Sequence, residues 1–176
     1  MNTPQKNDVI PMLKTWFLLI AFVFGGGAHA HAKNLCLPAE KIIFSFETKS
    51  KKVLSVCKKL DQSYLVYRFG TQKRTELQFP QNLDKASWKK FDFQGMSRGG
   101  GKANAGFGDY SLSFKNGNAE YTVFQQWNDE DDTYDIGVTI VDAKGKAITL
   151  AGLRRTQEGS LTLLDNEGKN ISNMAN

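Results

Sequence analysis

Histidine is scarce in this 176-residue chain: there are two, His29 and His31, and none follows them. Everything downstream must work without the side chain most used as a general base near neutral pH, which is also the commonest zinc ligand. Ser-His-Asp and Cys-His catalysis are excluded from that part of the chain. No catalytic residue, metal or cofactor is expected there. Long apolar runs are also missing. The one run that stands out, residues 16–24 (WFLLIAFVF), has nine residues, against the roughly 20 needed to span a bilayer as a helix. Cysteine occurs twice, as Cys36 and Cys57. After the first thirty residues no long stretch carries a helical apolar period, which excludes a helical bundle.

The start of the chain reads as a secretory signal. Lys6 and Lys14 lead into the apolar run, Gly25 to Gly27 break it, and Ala28-His29-Ala30 and Ala30-His31-Ala32 supply small-x-small cleavage sites. Residues 1–32 are expected to be removed, leaving residues 33–176 as a single β-rich domain in the periplasm or secreted. Lys33-Asn34-Leu35 precede Cys36, so the small residues of a lipoprotein signal are absent. Loss of Lys6, Lys14 and Asp8 changes the net charge from +5 to a mildly basic +4. That suits solubility and loose attraction to anionic polymers. It is too weak and too dispersed to indicate nucleic acid, and contact with membrane is expected only during export. In an oxidising compartment two cysteines of one small domain most simply pair. A Cys36–Cys57 disulfide is expected to stabilise by about 3 kcal/mol in the chain-entropy view.

The remaining sequence is a succession of short β segments. Residues 42–80 (IIFSFETKSKKVLSVCKKLDQSYLVYRFGTQKRTELQFP) hold four of them, separated by the polar turns KSKK, LDQS and GTQK. Pro80 ends the fourth, and residues 81–87 are read as a loop or short helical turn. Extended segments are then expected over 88–94, 109–115, 119–127, 133–142, 147–153 and 160–164. Asn116-Gly117 is the strongest hairpin signal of the chain. Residues 165–176 are polar and read as a fraying tail. The sum is an all-β fold of about ten short strands, an antiparallel sandwich or barrel.

Two loops invite functional readings. Residues 95–108 (GMSRGGGKANAGFG) contain six glycines and are not expected to form an ordinary strand. Met96 stands where a phosphate-binding loop needs its first glycine, and Ala103 where it needs Ser or Thr, so that motif fails. What remains is a flexible basic finger carrying Arg98, Gly99, Gly100, Gly101 and Lys102, with Tyr110 near its base. Residues 128–132 (NDEDD) form an acidic hairpin tip that lacks the central glycine and distal glutamate of a calcium loop. Asp92, Asp109, Glu120 and Asp135 are available for carboxylate chemistry, but one sequence cannot pair them across a sheet.

Several stretches resemble a group of small exported bacterial proteins of uncharacterised function. They are Phe44-Ser45, Ser55-Val56-Cys57, residues 64–70 (YLVYRFG), Glu76-Leu77, Ser97-Arg98-Gly99-Gly100-Gly101, and Phe114-Lys115-Asn116-Gly117 ahead of Tyr121. The resemblance covers about residues 35–148 and implies export and a β-rich fold, but no activity. Further cysteines of the group, near Phe46 and near the C-terminal strands, have no counterpart here. The expected function is that of a non-enzymatic binding protein. Its partner is an envelope protein or a foreign one, with an inhibitor or immunity-type partner of an envelope-targeting enzyme such as a lysozyme foremost, and the finger making contact. The alternatives are a small-ligand carrier or structural envelope protein, for which an apolar cavity is the sign, and a carboxylate-based glycan hydrolase, for which it is a cleft with converging acids.

Overall fold

The computed structural model describes residues 34–102, 104–167 and 170–173. Of the expected signal peptide it describes only Met1, so that expectation lies outside the described residues. The strands are β1 (Glu40–Glu47), β2 (Val53–Lys59), β3 (Leu65–Thr71), β4 (Arg74–Phe79), β5 (Asp92–Arg98), β6 (Phe107–Asn116), β7 (Ala119–Asn128), β8 (Thr133–Val141) and β9 (Ala147–Ala151). Two-residue strands β10 (Glu158–Gly159) and β11 (Ser172–Asn173) follow, and 3₁₀ helices cover Lys85–Lys90, Arg154–Thr156 and Leu161–Glu167.

The strands form two sheets, in the orders β10-β1-β2-β3-β4 and β11-β5-β6-β7-β8-β9. Every pairing is antiparallel except the short one of β11 with β5. From β1 to β9 the chain is an up-and-down meander that changes sheet once, between β4 and β5. A bridge between Thr48 and Gly152 and a hydrogen bond from Leu153 N–H to the Glu47 carbonyl (2.8 Å) join the end of β1 to the end of β9. The all-β expectation is met, and between sandwich and barrel the molecule is a sandwich stitched along one edge.

Alternation sets the inner face of the second sheet. Along β6, Tyr110, Leu112 and Phe114 are buried while Asp109 and Lys115 are exposed. Facing them are Phe44, Phe46, Leu54, Val56, Leu65 and Tyr67 of the first sheet, all in one continuous core. Phe114 is its hub, with ring centroids 4.9 Å from Tyr67, 4.3 Å from Phe79, 5.5 Å from Phe91 and 4.9 Å from Tyr121. The space between the sheets at this level is filled by rings.

The first sheet is covered on its outer face as well. Residues 34–39 cross it, held by Leu35 N–H donating to Ser55 Oγ (2.9 Å) and by the Cys36–Cys57 disulfide. Beneath this strap Arg68 donates to both oxygens of Glu40 (2.6 and 2.9 Å), and Tyr64 Oη donates to Glu40 Oε1 (2.7 Å). Burial alone would push the Glu40 carboxyl up. The guanidinium of Arg68, the backbone N–H of Leu37 and the Tyr64 hydroxyl outweigh it and hold the group below the usual carboxylate range.

Four local expectations need correction. Residues 160–164 are not a strand: Leu161 and Leu164 are buried and Leu163 is 40% exposed, a spacing of three that suits the 3₁₀ helix found there. Ser160 Oγ accepts the Thr162 N–H at its start (3.2 Å). The described residues of the tail, 165–167 and 170–173, do not fray as a unit, since Asp165 accepts a hydrogen bond from Tyr110 Oη (3.1 Å), Ile171 is buried and β11 pairs with β5. Trp88 to Lys90 belong to a 3₁₀ helix whose first N–H groups are capped by Asp84 Oδ1 (2.8 and 3.2 Å). Gly95 to Arg98 and Phe107-Gly108 are ordinary strand. Gly95 lies opposite Tyr110 and Gly108 opposite Trp127, and an aromatic ring from the neighbouring strand covers each glycine. A Cβ on Gly95 would stand 2.7 Å from the Tyr110 ring, and one on Gly108 only 2.1 Å from the indole. These glycines make room for rings rather than loosening the backbone.

Candidate functional site

At one end of the second sheet the β5–β6 and β7–β8 hairpins stand side by side. Asp129 N–H donates to the Gly106 carbonyl (2.9 Å), and a Cβ on Gly106 would fall 2.4 Å from Asp129 Oδ2. The glycine is needed for that close approach. In the finger, Gly101 N–H closes a turn onto the Asn104 carbonyl (2.9 Å). Gly99 and Gly101 face open space on the side where a Cβ would point. Arg98 is turned back onto its own hairpin: it donates to the Ala105 carbonyl (3.0 Å) and lies 5.1 Å from the centre of the Phe107 ring. Lys102 is exposed. Tyr110 lies beneath, 3% exposed, with its hydroxyl bonded to Ser97 Oγ (2.8 Å) and Asp165. Burial pushes that hydroxyl up from its ordinary value. Of the residues expected to make contact, Gly99, Gly100, Gly101 and Lys102 are exposed, Arg98 braces the hairpin from an exposed position, and Tyr110 supports from inside.

Below the hairpins the inner face changes character. Tyr110, Trp127 and Tyr134 lie in a row across β6, β7 and β8, near-parallel, with centroid separations of 5.6 and 6.4 Å. The Arg154 guanidinium sits 4.0 Å above the Tyr134 ring. Gln125, 4% exposed, locks this row to the chain that follows β9. Its Nε2 donates to Tyr134 Oη (2.9 Å), and its Oε1 accepts from Ser160 Oγ (3.0 Å) and Leu161 N–H (2.8 Å). Tyr134 Oη in turn donates to Gln157 Oε1 (2.9 Å). Trp127, Tyr134, Gln125, Asn128, Asp129, Asp132, Thr133 and Arg154 line a cavity of about 280 Å³.

The row was not singled out in the sequence, although a signal was present. Trp127 and Tyr134 bracket the acidic tip, and the hairpin register sets them directly opposite one another. Arg154 arrives from beyond β9, and no local pattern announces it.

The four carboxylates considered for hydrolysis divide into two pairs. Asp92 and Glu120 line a second cavity, of about 450 Å³ beside the β4–β5 break, together with Lys90, Lys115 and half-buried Ser113. Asp109 and Asp135 sit on the outer face on either side of Gln126, whose Nε2 donates to Asp109 (3.0 Å). Among the described residues, Cys36, Glu40 and Cys57 are a group of three ligand-type side chains gathered within 4.8 Å. Both sulfurs are consumed in the disulfide and both Glu40 oxygens are bonded, so this donor set does not suit a metal ion. No helix among the described residues is long and apolar enough to cross a membrane. Comparison with protein-family models, with curated proteins and with solved structures found no match.

Proposed function

We propose that the protein is an exported, non-catalytic binding protein, an inhibitor or immunity-type partner of an envelope-targeting enzyme. The observation that carries this reading is the build of the finger. Its tip, Gly99 to Lys102, offers exposed backbone and one cation with almost no side-chain bulk. Its base is held by the Asp129–Gly106 contact and by Arg98 folded onto Phe107. A slim tip on a braced base can enter a cleft while losing little conformational freedom on binding. The disulfide suits an oxidising compartment, and the ring-filled interior at Phe114 leaves a carrier role less room than a surface role.

The test is affinity chromatography and titration calorimetry of the oxidised protein against a lysozyme panel and envelope extract. A stoichiometric complex is expected, with affinity lowered about tenfold or more in the Arg98→Ala/Lys102→Ala double variant. A partner bound equally well by that variant would remove the finger from the contact. Absence of any partner for folded, oxidised protein would overturn the reading as a whole.

A further inference from the structure

The cavity under the hairpins is chemically unlike the finger above it. We infer that it is a binding site for a neutral, polyhydroxylated sugar ring, with Trp127 as its stacking surface. Gly108 has no side chain, and the indole lies over the vacant position so closely that even a methyl group could not be inserted. One face of Trp127 is therefore pressed against β6 while the ring borders the cavity. Tyr110 on one side and Tyr134 on the other hold it near-parallel in the row, so the platform is pre-organised.

The polar rim decides the class of ligand. Asp129 and Asp132 supply acceptors; Arg154 supplies guanidinium donors, which lie over the Tyr134 ring and meet no acceptor among the described residues. Trp127 Nε1 has no hydrogen-bond partner among the described residues, and it is not a sealed polar atom. A cation would be drawn to the rings and carboxylates but repelled by Arg154. An anion would meet Arg154 but be repelled by both carboxylates. A sugar satisfies both halves of the rim, because each hydroxyl both donates and accepts, and the C–H-bearing face of the ring can lie on the indole. About 280 Å³ is at the small end of ligand pockets and fits one sugar residue rather than a long chain. Gln125 spends its oxygen on the Ser160 hydroxyl and the Leu161 N–H and one N–H on Tyr134, so it is a positioning residue here.

The experiment is an NMR titration of the oxidised protein with cello-, malto- and chito-oligosaccharides, following the Trp127 Nε1–H resonance, with choline and inorganic phosphate as charged controls. Saturable shifts with at least one oligosaccharide and none with the controls are expected. Trp127→Phe should weaken binding about tenfold, and Arg154→Ala, at an exposed position, should weaken it without unfolding the domain. Lys102→Ala should leave it unchanged, which separates this site from the finger. Binding of choline or phosphate in preference to every sugar, or sugar binding indifferent to both Trp127→Phe and Arg154→Ala, would overturn the inference. So would the lack of any saturable response.

Discussion

The two sheets solve the same problem under different cover. The first is buried on both faces along β1 to β3, though not along its edge strand β4, and those three strands read as nearly unbroken apolar runs: Ile43 to Phe46, Val53 to Cys57 and Leu65 to Arg68 are buried without interruption. The second is buried on one face, and β6 alternates cleanly. The strap over the first sheet creates the difference. Cys57, Val66 and Tyr64 form a satellite core under it, with Cys36 and Leu83 packed against them. The exposed face of the second sheet instead carries polar pairs, among them Ser113 with Thr122 (3.0 Å) and Thr139 with Thr149 (3.0 Å). A sheet covered twice can bury an ion pair and a disulfide; a sheet covered once spends its inner face on the core and has one end left for a site.

The sharpest way to break this comparison is at the buried ion pair. Glu40→Gln leaves the Arg68 guanidinium, 3% exposed, without its counter-charge. The expected loss is about 3–5 kcal/mol in urea unfolding, and a change below 1 kcal/mol would mean that the strap is not tightly seated. Reduction of Cys36–Cys57 should follow at about 3 kcal/mol, read as a drop in Tm on adding reductant and absent in a Cys36→Ser/Cys57→Ser variant. Next comes a matched pair of outer-face truncations. Val66→Ala in the first sheet should cost about 2 kcal/mol, whereas Thr139→Ala in the second should stay within about 0.5 kcal/mol. Equal effects would erase the distinction drawn here.

The pH dependence sharpens the same contrast. Glu40 titrates below its ordinary 4.5 in the folded state, and Glu167 is also lowered: burial opposes, but Lys58 and Asn170 prevail. Depressed carboxyl groups contribute stability that is complete above the unfolded-state value and lost as pH falls through the folded one. Tm should be level above about pH 5 and decline below the ordinary value of 4.5, with a shallower decline in Glu40→Gln. A decline that starts above pH 6, or one unchanged in the variant, would assign acid sensitivity to other groups.

Legibility followed the range of the interactions. Most of the long strands were readable because each has its own apolar run or alternation and its own turn; β5 was placed only over residues 92–94. Gly117 and Gly145, at φ of 60° and 77°, sit where the hairpin signals placed them, since a left-handed turn residue is a local requirement. The segment 161–167 was misread because LTLL satisfies two periods over so short a length, and only burial against β1, β5 and β6 selects the spacing of three. The glycines at 95 and 108 were misread for a related reason. Their cause is an aromatic ring on the next strand, which composition alone does not reveal.

By itself, then, the chain's order of residues determined the all-β class, the hairpins, the pairing of the two cysteines and the exclusion of histidine chemistry after residue 31. These depend on side-chain type and near-neighbour spacing. Tertiary structure decided which sheet is covered twice, that Arg98 braces rather than projects, and that Trp127, Tyr134 and Arg154 share one cavity. Those outcomes require contacts between segments far apart in the chain, and only the register of the strands and the closure of β1 against β9 bring the partners together.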